Sequence, residues 1–366
     1  MVKLKDLLDL IEILAPRRLA AEWDNPGLAV GHKEARIQKI ALSLDAIPET
    51  IQAAIQIGAQ ALVTHHPLSL NPLRRLDLSE PIAETAALAI KHNLAVVSAH
   101  TNLDAARQGT ARALARHLDL KEVSVLEPVR SAPAYKLTVF VPLGYEGQIK
   151  QALLEAGAGS FFQVRGEKTY SFGAEDRAGT AGPRHDETQA ESRLEVRVAD
   201  NDMPRILEAL RRSHPYEEPA WDLSPLAPAE PTEGYGCIGV LNIPLSLGDL
   251  VNKIKESLKI NFIRIAGPDP GQVRTVALMP GSGGAYVSLA RSRGAQVLLS
   301  GDLGYHQARE AEQIGLTLLD AGHFATERPV IEDLANLLDL TARKRAWDLS
   351  FIVLDCEKDP WRLMEV

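Results

Sequence analysis

The chain of 366 residues is long enough for two domains, or for one domain carrying a large insertion. Its net charge of −8 argues against a dedicated nucleic-acid binder, which shows a basic face, and leaves room only for a local basic pocket. With 45% hydrophobic but only 5% aromatic residues, the core must be built from Ala, Leu, Val and Ile, a composition suited to helices on a parallel sheet.

Residues 4–14 have the spacing of an amphipathic helix, and Asp6, Asp9 and Glu12 set this start apart from a signal peptide. Alternation then predicts strand 37–44, helix 49–56, strand 61–64, helix 81–91, strand 95–99 and helix 109–117. This βαβα rhythm means parallel strands joined by crossover helices. After Pro128 the rhythm changes to strand 135–141, helix 146–156, a Gly-rich polar stretch 173–191 read as loop and hairpin, strand 194–198, helix 203–212 and strand 220–223. Two such halves suggest a ferredoxin-like α+β insert over residues 129–234, bounded by Pro128 to Pro133 and by Pro225 to Pro231. The α/β rhythm resumes with strand 275–279, helix 285–293, strand 296–299, helix 306–314, strand 316–319 and helix 329–337. The expected fold is thus a discontinuous α/β domain, three layers about a parallel sheet, in two segments, 1–128 and 235–366. No run reaches the roughly 18 apolar residues of a membrane span. Cys237 and Cys356 are far apart and in no CxxC pattern, which suits a reducing cytoplasm.

The chemistry gathers where predicted strands end, because in open α/β sheets ligands bind at the carboxyl edge. Strand 61–64 runs into His65-His66-Pro67, strand 95–99 into His100 and Asp104, and strand 316–319 into Asp320, His323 and Glu327. All three should lie on one sheet edge and form a metal site, one of two metals when read from convergence rather than from any single element. Imidazole with carboxylate suits Zn²⁺, Mn²⁺ or Fe²⁺ better than Ca²⁺. Each piece also has a plain reading. The His pair could be an exposed turn, Asp104 a helix-terminal residue, and Glu327 a complement to a helix dipole, with Thr326 as N-cap and Pro329 in the first turn. Gly281, Gly283 and Gly284 follow a strand and could cradle an anion, or simply make a tight turn; the loop lacks a P-loop's Lys-Ser/Thr. His306, after Asp302, could be a general acid–base group or a first-turn residue. His32, His92, His117 and His185 stand outside the pattern and are read as solvent-facing.

These blocks resemble a known family. Glu22-Trp23-Asp24-Asn25-Pro26-Gly27-Leu28-Ala29-Val30-Gly31 looks like its N-terminal W-D-N-x-G-L-x-x-G signature. Thr64-His65-His66-Pro67, His100 through Asp104, Gly301 through His306, and Gly322 through Glu327 match further blocks in order. The family is the GTP cyclohydrolase 1 type 2 homologues, also called NGG-interacting-factor-3-like proteins. Ser213-His214-Pro215-Tyr216-Glu217-Glu218-Pro219-Ala220 resembles the H-P-Y-E-E-P-A block of its long members, whose insert is PII-like. The resemblance implies two divalent ions per subunit, zinc ahead of manganese, iron or magnesium, held by His65, His66, Asp104, His323 and a bridging Glu327. It implies a homohexamer built as a trimer of dimers. One departure is Gly304, where the family often has Lys or Arg before the tyrosine, so a phosphate contact at that position is not carried over.

The implied activity is opening of the GTP purine ring at C8 with release of formate. A divalent ion lowers the pKa of water toward neutrality, which suits that hydrolysis, and His100 or His306 could move the protons. Two other readings stand beside it. One is a metal-dependent phosphoesterase acting on a small phosphorylated substrate. The other is a non-enzymatic regulator or scaffold whose insert senses a small molecule or partner.

Overall fold

The computed structural model describes residues 2–129, 133–159, 161–164, 191–226, 232–362 and 364. Its first strands are β1 (Gly27–Val30), β2 (Lys39–Ser43), β3 (Ala61–Thr64), β4 (Ala95–Ser98) and β5 (Lys121–Pro128). Next come β6 (Ala134–Pro142), β7 (Phe161–Val164), β8 (Glu191–Ala199) and β9 (Trp221–Pro225). The chain ends with β10 (Gly234–Ser246), β11 (Arg264–Ala266), β12 (Gln272–Ser282), β13 (Val297–Gly301), β14 (Thr317–Asp320) and β15 (Ser350–Val353). The chain divides into two compact units, Met1–Val129 with Pro231–Val366, and Arg130–Glu230.

The larger unit holds two sheets rather than the single sheet expected. In the first, ordered β1-β4-β3-β2-β15, only β1 is antiparallel. In the second, ordered β11-β14-β13-β12-β10-β5, a parallel centre of β12, β13 and β14 has antiparallel flanks. The reason is β10. This long strand pairs with β5 on one side and β12 on the other, so the second half of the chain builds its own sheet instead of extending the first. Gly236 at φ +63 and shifts of register on both sides let β10 carry its glycines and Pro244 as bulges.

Both sheets are covered on both faces, as parallel strands require. β3, β4, β13 and β14 are buried along their whole length. On the first sheet, Leu4, Leu7 and Leu10 of helix Leu4–Leu14 and Val330, Ile331, Leu334 and Leu338 of helix His323–Lys344 pack with Leu42, Val63 and Val97. Ile51, Ala54, Ala86 and Ala89 cover its other face. On the second sheet, Leu114 and Ile254 pack with Leu278 and Leu299, while Val287 and Ala311 pack with Leu298 and Leu318.

Helix His323–Lys344 starts six residues before the start expected at Pro329, and Gly322 rather than Thr326 is its N-cap. Pro329 lies inside it. An internal proline costs about 3 kcal/mol. Burying Val330, Ile331, Leu334 and Leu338 is worth roughly 1.5–3 kcal/mol each, which outweighs that cost.

The smaller unit has the βαββαβ order and the antiparallel β7-β8-β6-β9 sheet of a ferredoxin-like fold. Helices Glu146–Glu155 and Met203–Ser213 lay Ile149, Leu153, Ile206 and Leu210 on Leu137, Val139, Leu194 and Val196. The loop and hairpin expected over 173–190 lie outside the described residues, and Glu191 begins β8. Among the described residues no helix is long and apolar enough to cross a membrane.

The chain leaves and re-enters the larger unit at one place. Val129 N–H donates to Glu233 O at 3.2 Å, Gly234 pairs with Pro128, and Arg18 makes a bidentate ion pair with Glu233. A short Gly-Ser linker replacing 130–230 therefore spans almost no distance. We expect that deletion variant to fold and to bind the same number of metal ions as the full chain, measured by elemental analysis. A folded variant without metal would show that the insert contributes to the site.

Candidate metal centre

β3 ends at Thr64, and the next two residues turn so that both imidazoles reach one place. His65 is fully buried and its Nδ1 pairs with Ala99 O at 2.9 Å. His66 Nδ1 pairs with Asp45 Oδ1 at 2.7 Å, and Asp45 follows β2. Glu357 grips the Asp45 loop by accepting the N–H groups of Leu44 and Asp45 at 2.9 and 2.7 Å. After β4, His100 Nδ1 pairs with Asp24 Oδ1 at 2.8 Å. Asp104 closes the short helix Thr101–Asp104, and its Oδ1 accepts from Thr110 Oγ1 at 2.8 Å.

The other sheet supplies the rest. β14 leads through Gly322 into the long helix, which places His323 and Glu327 one turn apart on the same face, 3.0 Å from Nε2 to Oε2. His323 Nδ1 pairs with Asp302 Oδ2 at 2.7 Å, just beyond β13. The four histidines thus share one design. Each Nδ1 is tied to a carboxylate or carbonyl, which sets a proton on Nδ1 and leaves Nε2 as the atom that takes up an ion or a second proton.

Three of these Nε2 atoms, those of His65, His66 and His323, converge on Glu327. Its Oε2 lies 3.1 Å from His66 Nε2 and 3.0 Å from His323 Nε2. Its Oε1 lies 3.7 Å from His65 Nε2, and Asp104 Oδ1 is 3.6 Å from the same nitrogen. Among the described residues three donor groups bring their ligand atoms within 4.8 Å of one another: His66 with His323 and Glu327, His65 with Asp104 and Glu327, and His65 with His66 and His100. Glu327 is common to the first two. His65 Nε2 is buried without a hydrogen-bond partner, and His66 Nε2 faces His323 Nε2 at 3.4 Å. Two lone pairs so placed repel unless a proton or cation sits between them. The donor set of imidazole and carboxylate fits a divalent transition ion.

The electrostatics agree. Burial works against charge on His66, but hydrogen bonds to Asp45 and Glu327 outweigh it and push its pKa up to about 10. The hydrogen bond to Glu327 raises His323 to about 9 against burial. Burial works against charge on Glu327 too, and the surrounding imidazoles overcome it and hold the carboxyl well below its ordinary value. The cluster therefore demands positive charge. His100 goes the other way: burial and the neighbouring His65 lower its pKa and keep it neutral.

Of the glycines expected to cradle an anion, Gly281 shows a different role. Gly281 N–H already donates to Thr326 Oγ1 at 3.0 Å, which removes it from such a cradle. Gly281 has φ +67, and a Cβ there would stand 2.2 Å from Glu327 Oε1. At Gly283 a Cβ would meet Ser300 Oγ at 2.2 Å, and at Gly284 it would meet Gln307 Cγ at 3.2 Å. At Gly281 the need is close approach, because backbone must pass directly beside the buried carboxylate. His306 is exposed in the first turn of helix Tyr305–Ile314, edge-on to Tyr305, and belongs to none of the three donor groups. His32 and His92 are exposed and His117 is half-buried, whereas His185 lies outside the described residues. Sequence reasoning did not single out Asp45, Asp302 or Glu357. Asp302 and Asp24 lie inside sequence motifs that assign them no role of their own.

Residues 2–360 match the family described as Duf34/NIF3 (NGG1p interacting factor 3). A protein named GTP cyclohydrolase 1 type 2 homolog from Halalkalibacterium halodurans is 32% identical, with 97% of each chain covered. One of the same name from Bacillus subtilis is 31% identical, with 98% of each covered. Among solved structures, a Bacillus cereus protein related to NIF3 superposes with a TM-score of 0.83 at 29% identity over 99% of both chains.

Two outcomes are expected. Because His66 and His323 keep their protons up to about 10 and about 9, a divalent ion must displace protons at neutral pH. Apparent metal affinity, measured against a chromophoric chelator, should climb between about pH 6 and about pH 9, by up to about 100-fold per unit if both protons leave. A flat profile would remove these histidines from the ligand set. Gly281→Ala should push the Glu327 carboxylate aside and weaken metal binding at least tenfold, while circular dichroism stays that of the parent.

Proposed function

The chain belongs to the Duf34/NIF3 family, and on that premise we propose that it is a hydrolase dependent on two divalent ions that acts on a nucleotide such as GTP, opening the purine ring at C8 and releasing formate. The observation that carries the reading is a single buried carboxylate, Glu327, shared by two donor groups whose remaining members are imidazoles and Asp104. The name shared by the bacterial relatives supports GTP as the first substrate to try.

Divalent ions bound here would activate water and neutralise developing negative charge. Zinc is the first candidate, ahead of manganese, iron or magnesium. His65, His66, Asp104, His323 and Glu327 would hold the ions, with Glu327 between them. Asp45 and Asp302 fix the tautomers of His66 and His323 and raise their basicity as ligands. His100 is suited to proton transfer. It is neutral, its Nδ1–H is held by Asp24, and Asp24 in turn accepts from Thr101 N–H at 3.0 Å. Its Nε2 can accept a proton from water and pass it to a departing nitrogen. His306, exposed and apart from the cluster, is the weaker candidate for that task. A cytoplasmic homohexamer accompanies this reading. The free Cys237 and Cys356 are consistent with a reducing compartment, and sedimentation would give the assembly state.

The test is a nucleotide panel on metal-loaded protein, read for both formate and phosphate. Formate from GTP supports ring opening, and phosphate alone moves the reading to phosphoester hydrolysis. Glu327→Gln should lose at least one ion and all turnover, since a neutral amide cannot offset two close dications. His100→Ala should keep the ions and slow turnover by about 10²- to 10⁴-fold. Wild-type rates in both variants would leave the site without a catalytic role.

A further inference from the structure

Trp23 is a large apolar side chain left 63% exposed beside a polar cluster. Its ring lies edge to the ring of His100, centroid to centroid 5.9 Å at 75°. The loop that carries it is held firmly. Ala21 N–H donates to Thr101 Oγ1 at 2.9 Å, and Asp24 N–H donates to Ala21 O at 3.0 Å. Asp24 binds His100 and Thr101 through both oxygens. Asn25 Nδ2 reaches across to Ser69 O at 2.9 Å, tying the loop to the segment that follows His66. Five neighbouring contacts therefore fix the backbone on either side of an indole whose ring makes little contact of its own.

An indole held still and left bare is a stacking platform. It meets a flat ring at little entropic cost, because its backbone is already ordered and few torsions remain to be fixed. We propose that Trp23 is a specificity-determining residue of this site and that it stacks on the heteroaromatic base of the substrate. The assignment rests on the nucleotide reading above and sharpens it. It places the base, rather than the phosphates, on the His100 side of the cluster. The reacting atoms near the neutral imidazole then belong to the ring, as purine opening requires and phosphoester cleavage does not.

The experiment compares two probes on zinc-loaded protein by calorimetry. One is 7-deaza-GTP, which keeps the flat bicyclic base and the triphosphate but has carbon in place of N7, so its ring cannot be hydrolysed at C8. The other is inorganic triphosphate, which has no base. Base stacking on an aromatic side chain is worth about 5- to 150-fold in affinity. The parent protein should prefer 7-deaza-GTP by a ratio in that range. Trp23→Ala should bring the ratio close to one, Trp23→Phe should retain most of it, and triphosphate affinity should not change in either. An unchanged ratio in Trp23→Ala overturns the proposal. So does failure of the parent to bind 7-deaza-GTP more tightly than triphosphate, or a change of oligomeric mass in Trp23→Ala, which would make the indole an interface residue. If the Trp23-dependent preference is present but GTP yields neither formate nor phosphate, the platform stands and the hydrolase reading fails.

Discussion

A carboxylate buried among imidazole lone pairs is the constraint on which the metal centre depends. Glu327 sits at 5% exposure with three histidine Nε2 atoms turned toward it. Taking an ionised carboxylate out of water is expensive, and only positive charge beside it offsets the loss. Protons on His66 and His323 supply that charge, and the donor groups around Glu327 could take it from a metal ion instead. Much around Glu327 serves this exchange. Asp45 and Asp302 lock two of the rings, and Gly281 clears backbone from the carboxylate.

Bringing the groups together is the task of the long helix. His323 and Glu327 stand at its start, where the chain leaves the second sheet, while Val330 to Leu338 pack on the first. A single rigid element thus links the two sheets and presents its first turn to the ends of β3 and β4. Pro329 stays within it because the apolar residues that follow bury more free energy than the proline removes.

The candidate ligands stand out in the sequence because they break a pattern. Short apolar runs such as Ala61–Thr64 and Ala95–Ser98 end abruptly in histidine, and chemistry placed at a strand end is visible without coordinates. The insert was legible from its change of rhythm and its prolines. The second sheet was not, because β10 contains Gly234, Gly236, Gly239 and Pro244, which read as breakers and are absorbed as bulges. Pro329 reads in sequence as a helix boundary, yet the helix begins at His323 and carries the proline within it. The orienting groups Asp45 and Asp302 were hidden for another reason. Among 48 acidic residues, a lone aspartate acquires meaning only from the ring it touches.

The way the chain crosses between its units bears on synthesis. His65, His66 and Asp104 leave the ribosome long before His323 and Glu327, with the whole of Arg130–Glu230 between them. A closure over such a distance carries a large loop entropy and is slow. The insert, whose core is drawn from its own hundred or so residues, can complete itself first. Meanwhile the early histidines wait without their shared carboxylate and have only half a coordination sphere to offer. The two donor groups that share Glu327 are therefore complete only at the end of biogenesis, after translation of the last third. A nascent chain stalled before His323 would present His65, His66 and His100 but neither of those two groups.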